Sequence, residues 1–144
     1  MASHFLLKSE PSVYPIDQLK KDKKTNWDHV RNYQARNVLN ACKKGDLALI
    51  YHSNDERAVV GVAKVVKEAY PDLDPEMKGD WVQIDVGFVL KLKTPVTLAT
   101  LKSTASLKEL PLIKQSRLSC MAIKAKEFET ILKLGDSWDD FQKL

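Results

Sequence analysis

The sequence predicts an α+β domain: a small sheet curled into a barrel, with helices packed outside it. Three observations carry this expectation. Residues 81–93 alternate without a break, placing Val82, Ile84, Val86, Phe88, Leu90 and Leu92 on one side and Gln83, Asp85, Gly87, Val89, Lys91 and Lys93 on the other. That is the period of a strand with one face on the core. Two further apolar runs, Leu47–His52 and residues 59–70, precede it across short polar links. Three long neighbouring strands joined in this way argue for an antiparallel or mixed sheet. Between and after them, Ala35, Val38, Leu39 and Cys42, and later Phe128, Ile131 and Leu132, fall at helical spacing. Gly87, in the middle of the longest run, suggests a strand that bends around a barrel.

The first element expected is a brief buried strand at Phe5-Leu6-Leu7, ending in the polar turn Lys8-Ser9-Glu10-Pro11. Pro11 removes a backbone donor and holds Glu10 extended. A short helix follows over 15–20 with Pro in its first turn. The Lys-rich cluster at 20–24 reads as a solvated loop. The helix carrying Ala35 to Cys42 is expected to start at Asn32 as N-cap and to stop at Gly45. Pro71-Asp72-Leu73-Asp74-Pro75 is a loop. Thr97 caps a helical turn over 97–102, with another over 107–110. A last strand at 118–123 leads to an amphipathic helix at 124–134 that Gly135 stops, and a tail from about residue 136 carries Trp138 and Phe141.

Composition narrows the class. At 144 residues the chain reads as a single domain over 1–144, able to bury roughly 70% of its unfolded surface without a metal or disulfide staple. The formal net charge is +4 and the isoelectric point about 9.0, which permits contact with phosphates without demanding it. Cys42 and Cys120 each sit in an apolar pattern and read as free buried thiols of a reducing compartment. No run is long enough to cross a bilayer, and the first residues lack a secretory pattern. The expected location is cytoplasmic for a bacterial chain, or nuclear for a eukaryotic one. No Gly-x-Gly-x-x-Gly and no phosphate-cradling Gly-Lys-Ser/Thr loop is present, so no nucleotide cofactor is expected. The cysteines and histidines form neither a zinc-deaminase motif nor a structural zinc site, and no metal is expected.

One stretch concentrates unusual chemistry: Trp27-Asp28-His29-Val30-Arg31-Asn32-Tyr33-Gln34-Ala35-Arg36-Asn37. It holds one of the three Trp and one of the three His of the chain, and two of its four Arg (the others are Arg57 and Arg117). Rings stack on flat faces, while amides and guanidinium groups read polar edges; a nucleobase offers both. The plain structural reading is that Trp27 and Tyr33 are core residues and Arg31 is an ion-pair partner.

Several ordered segments resemble the EVE domain family: Leu7-Lys8-Ser9-Glu10-Pro11, Trp27-Asp28 with residues 30–37, Gly45-Asp46, Tyr51-His52-Ser53, Gly61-Val62-Ala63, Tyr70-Pro71-Asp72 and Arg117-Leu118-Ser119. The resemblance runs from about residue 5 to 134. It implies a PUA-like fold, related to the YTH and ASCH domains, and a reader of a modified base (a modified cytosine or adenine) in DNA or RNA. The implied ligand site comprises Lys8, Ser9, Glu10, Trp27, Val30, Arg31, Asn32, Tyr33, Gln34, Ala35, Arg36, Tyr51, His52 and Ser53. Three positions depart from the family pattern: Phe5 and His29 stand where Trp and Gly are usual, and Ala122 replaces Pro.

Within that site Trp27 is the first choice for stacking on a base. Tyr33 and Tyr51 are walls of the pocket or core residues. Arg31 and Arg36 meet phosphate or a base edge, or form surface ion pairs. Asn32 and Gln34 offer amide edges, although capping alone accounts for Asn32. His52 bonds a ligand or is a satisfied core histidine. Two alternatives belong to other classes. A small amidohydrolase acting on a modified nucleoside would use Lys8, Glu10 and Ser9 or Ser53, although no complete catalytic constellation is visible. A protein-interaction scaffold would use the tail with Trp138 and Phe141.

Overall fold

The structure is a computed structural model that describes residues 3–28, 30, 32–53, 56–72, 80–115 and 117–144. The chain runs β1 (His4–Ser9), α1 (Ile16–Asp22), β2 (Lys24–Trp27), α2 (Tyr33–Ala41), β3 (Leu47–His52), β4 (Ala58–Pro71), β5 (Val82–Thr97) and α3 (Leu98–Ser103). A short 3₁₀ turn at Ala105–Leu107 follows, then α4 (Pro111–Lys114), β6 (Cys120–Ile123), α5 (Ala125–Leu134) and α6 (Trp138–Gln142). It is a mixed α+β fold built on one six-stranded sheet in the order β2-β5-β4-β3-β1-β6. β1 pairs parallel with β3, and every other pairing is antiparallel.

The sheet curls but does not close. β2 and β6 are its two edges, and among the described residues they do not pair, so the expected barrel is corrected to an open, curled sheet. The bend does not come from Gly87, which keeps regular partners in Lys24 and Lys64. It comes from register shifts along β4–β5, one of which leaves Val89 as an extra residue between Leu90, opposite Val62, and Phe88, opposite Ala63. Such bulges tighten local twist and bend the strand that carries them. They also end the uniform alternation expected for β5: Ile84 and Val86 are buried, whereas Phe88, Val89 and Leu90 are all half-buried.

Both faces of the central strands are covered, which is why β3 is buried from Ala48 to His52 with no alternation. On one face α1 docks Ile16 so closely on Gly61 that an added Cβ would lie 2.5 Å from Ile16 Cδ1. α2 sinks Ala35 and Leu39 into the core and touches β4, β5 and β6. Asn32 caps α2 as expected, its side-chain oxygen accepting from Ala35 N at 2.9 Å. Gly45 does not end that helix, which stops at Ala41; it turns the chain into β3 at φ +94°. Thr97 caps α3, and Gly135 follows the last turn of α5, which buries Phe128, Ile131 and Leu132. The lysine cluster expected as a loop is exposed yet regular. It ends α1 at left-handed Lys23 (φ 71°) and opens β2 at Lys24.

The tail folds back. Ser137 is 1% exposed; its Oγ accepts from Lys93 N (2.8 Å) and donates to the Gly135 carbonyl (2.9 Å). Phe141 meets Phe128 edge-on at 5.2 Å, and Trp138 stacks on Phe141 at 5.8 Å. Among the described residues no helix is long and apolar enough to cross a membrane.

Candidate functional site

The end of β1, the turn after it and the edge strand β2 enclose a cleft of about 500 Å³ lined by Lys8, Ser9, Glu10, Val13, Tyr14, Thr25, Asn26, Trp27 and Asp28. That volume lies within the roughly 300–1,000 Å³ of small-molecule sites. Each wall has a local cause. The turn is fixed by Val13 N and Tyr14 N both donating to the Glu10 carbonyl, at 2.9 and 2.8 Å. Ser9 is buried, and its Oγ donates to the Tyr14 carbonyl at 2.5 Å. The Tyr14 hydroxyl reaches across to Asp22 Oδ2 at 2.8 Å, tying the turn to the last turn of α1. Burial, and then this bond to the carboxylate, pushes the Tyr14 phenol above its ordinary pKa. Opposite, β2 is held by pairing Trp27 with Ile84 and Asn26 with Asp85. Alternation along this strand leaves Thr25 and Trp27 half-buried and Lys24 and Asn26 exposed.

Trp27 is thus neither sealed in the core nor loose on the surface. Its indole packs against the core from one side and lines the cleft. Around it stand acceptors and donors at close quarters. Asn26 Nδ2 donates to Asp28 Oδ2 (3.1 Å) and to Gln83 Oε1 (3.0 Å), which fixes the Asp28 carboxylate at the cleft. Burial depresses the Lys8 ammonium below the usual lysine range. Ser9 closes the turn with its hydroxyl, and that bond gives it a structural task apart from any chemistry on a substrate.

The structure separates the other expected residues. Asn32 and Gln34 line a different recess of about 310 Å³, with Lys114, Gln115, Arg117 and Leu118. Tyr33 is 67% exposed and stacks on Trp81 at 5.1 Å; the Arg36 guanidinium lies 4.9 Å from the Tyr33 ring centre and 5.8 Å from that of Trp81. Val30, Ala35 and Tyr51 are core residues, 5%, 0% and 4% exposed. Burial raises the Tyr51 phenol above its ordinary pKa. His52 is buried and satisfied: Nε2 accepts from Ile16 N at 2.9 Å, and Nδ1 meets Glu56 Oε2 at 2.8 Å. It borders a third recess beneath α1. Ser53 N donates to the Ser9 carbonyl at 2.9 Å, which places Ser53 behind the cleft wall. Arg31 and the departing His29 lie outside the described residues. Of the expected set, the structure therefore gathers Lys8, Ser9, Glu10 and Trp27.

Val13, Tyr14, Thr25, Asn26 and Asp28 join the cleft without having been singled out as ligand residues. Asp28 stood inside the conspicuous stretch. The others depend on β2 lying beside the β1 turn, a long-range placement that no local pattern announces.

The fold and cleft define a small open-sheet domain with a cleft lined by an indole and polar side chains. The EVE domain profile matches residues 3–134, and the chain belongs to the EVE domain family. It is 40% identical to human thymocyte nuclear protein 1, over 94% of this chain and 75% of that one. A solved structure of a hypothetical protein from Leishmania major superposes with a TM-score of 0.90 at 39% identity, covering 96% of this chain and 98% of that one. The crystal structure of human THYN1 protein in complex with 5-methylcytosine-containing DNA superposes at 0.85, with 39% identity over 94% of this chain and 98% of that one. A YTH domain from Zygosaccharomyces rouxii MRB1 protein, 20% identical with a TM-score of 0.57 over 93% and 86% of the two chains, shares the fold.

Proposed function

We propose that this chain binds nucleic acid by accepting a single modified base, foremost 5-methylcytosine in DNA, in the cleft beside Trp27. The observation that carries the reading is the half-buried indole lining a cleft of about 500 Å³ among fixed polar groups. Similarity over nearly the whole chain to a protein solved with 5-methylcytosine-containing DNA supports the choice of base.

The chemistry of the lining suits a cytosine. Its ring stacks on the indole of Trp27, and such stacking contributes about 1–3 kcal/mol per base. Its exocyclic amino group donates to a carboxylate, as cytosine does to Asp or Glu elsewhere; Asp28, oriented by Asn26, and Glu10 are the candidates. Lys8 and Thr25 can donate to the ring nitrogen and carbonyl of the pyrimidine. Val13 and the ring edge of Trp27 supply apolar surface for the added methyl group. A base inside a duplex cannot reach such a cleft, so it enters by extrusion, at a cost of a few kcal/mol.

Fluorescence anisotropy with a labelled DNA strand carrying one 5-methylcytosine, against the same strand with cytosine, tests the reading. The methylated strand should bind more tightly, and Trp27→Ala should remove the difference. Equal binding of both strands, or a preference that survives Trp27→Ala, would overturn it.

A further inference from the structure

We infer that the strand flanking the captured base sets a phosphate into the second recess, where Arg117 and Lys114 hold it. The inference rests on the base-reading function proposed above and extends it to the nucleic-acid backbone.

Charge separates the two cavities. The cleft beside Trp27 sets Lys8 against the carboxylates of Glu10 and Asp28, so it suits the amino edge of a base and offers a phosphodiester no net attraction. The second recess has the opposite character. Among the described residues its lining contains two cations and three amides, Asn32, Gln34 and Gln115, and no carboxylate. Lys114 does pair with Glu109, but both side chains are about half exposed. A solvent-exposed pair of that kind is weak and exchanges its partner readily. Arg117 is exposed, and its planar fork matches two phosphate oxygens at once.

Reach agrees with charge. Trp27 walls the first cavity and Asn32 the second. Five backbone steps join them, so their backbones lie no more than about 18 Å apart. That distance is within the span of a few nucleotides, so one strand can fill both. The recess also gives a role to Arg117 of the Arg117-Leu118-Ser119 segment, which the base cleft does not use: it fixes the strand, while Trp27 and its neighbours read the base.

The test uses the full chain and three probes: free 5-methyl-2′-deoxycytidine, a short single strand with one central 5-methylcytosine, and inorganic phosphate. Affinities are measured by titration between about 50 and 200 mM salt. Arg117→Glu should weaken the strand by about tenfold or more and lower the slope of log affinity against log salt by about one, leaving nucleoside affinity and the unfolding midpoint unchanged. Lys114→Ala should act in the same direction, and Arg117→Lys should keep the slope. Inorganic phosphate at matched ionic strength should compete weakly with the strand on the wild-type chain and lose that effect in Arg117→Glu. A wild-type slope in both Arg117→Glu and Lys114→Ala, equal loss of nucleoside and strand, or equal competition by inorganic phosphate in wild type and Arg117→Glu would overturn the inference while leaving the base cleft in place. A wild-type chain that binds neither nucleoside nor strand would overturn both.

Discussion

Replacing Asn32 with Ala removes an acceptor at the start of α2 and separates two roles for this side chain, cap and ligand contact. In the structure Asn32 holds extended backbone angles (φ −124°, ψ 130°), and its side-chain oxygen accepts from Ala35 N at 2.9 Å. The first turn of α2 carries no acidic residue to share that task. Losing a side-chain cap costs about 0.5–2 kcal/mol, centred near 1. For a chain of this size, 1 kcal/mol corresponds to a fall of roughly 3–5 °C in the midpoint of thermal unfolding. The helix matters beyond its own length because it carries Ala35 and Leu39 into the core and Gln34 to the second recess. Urea titration of wild type, Asn32→Ala and Asn32→Ser separates the roles, since Ser restores the cap but not the amide. The expected result is a loss of about 1 kcal/mol in Asn32→Ala, recovery in Asn32→Ser, and near wild-type strand affinity in Asn32→Ser. Full stability in Asn32→Ala, together with lost binding in both variants, would refute the reasoning and make the amide a ligand contact.

Other perturbations have equally specific outcomes. Gly61→Ala should destabilise by about 1–3 kcal/mol in urea, because the new Cβ meets Ile16 Cγ1 at 2.8 Å and the backbone oxygen of Leu90 at 2.9 Å; unchanged stability would mean that α1 is not seated as described. Ser137→Ala should cost about 1–3 kcal/mol by stranding Lys93 N and should loosen α6, read as faster amide exchange over Trp138–Gln142. His4 is held below its ordinary value of 6.5 by burial, against an opposing pull from Asp46. The folded state therefore favours the neutral ring, and its contribution to stability is present above pH 6.5 and lost as the pH falls below that value. His4→Gln should flatten the acid side of a urea-midpoint profile, and a profile identical to wild type would contradict the assignment.

What the sequence disclosed, and what it hid, follows from the range of the interactions involved. Caps and stripes are local: Asn32, Thr97 and the Phe128-Ile131-Leu132 stripe could be read because the groups that satisfy them lie within one or two turns. β2 could not. It has four residues, two of them exposed, and it is a strand only because β5 pairs with it. Overlooking that strand kept Thr25 and Asn26 out of the expected site and made closure into a barrel a natural expectation. Nothing local in β4 or β5 reveals the register shifts that shape the sheet, or that β2 and β6 end at opposite edges. Trp27 stood out by its residue type and company, and the structure puts it on the wall of the cleft. Asn32, Tyr33 and Gln34 were legible as unusual but not as to direction, because the helix they open faces a different recess. Tyr51 and His52 are buried for a non-local reason, the covering of both faces of β3.

The central claim is that a modified base sits on Trp27, and the chain has three tryptophans whose indole N–H signals report on three different places: Trp27 in the cleft, Trp81 under Tyr33, and Trp138 in the tail. Titrating 5-methyl-2′-deoxycytidine into ¹⁵N-labelled protein and following those signals tests the claim most directly. The account predicts that the Trp27 indole signal moves in a saturable manner, together with the amides of Ser9, Thr25 and Asn26, while those of Trp81 and Trp138 stay in place. A stationary Trp27 signal with a shifting Trp81 signal would contradict it.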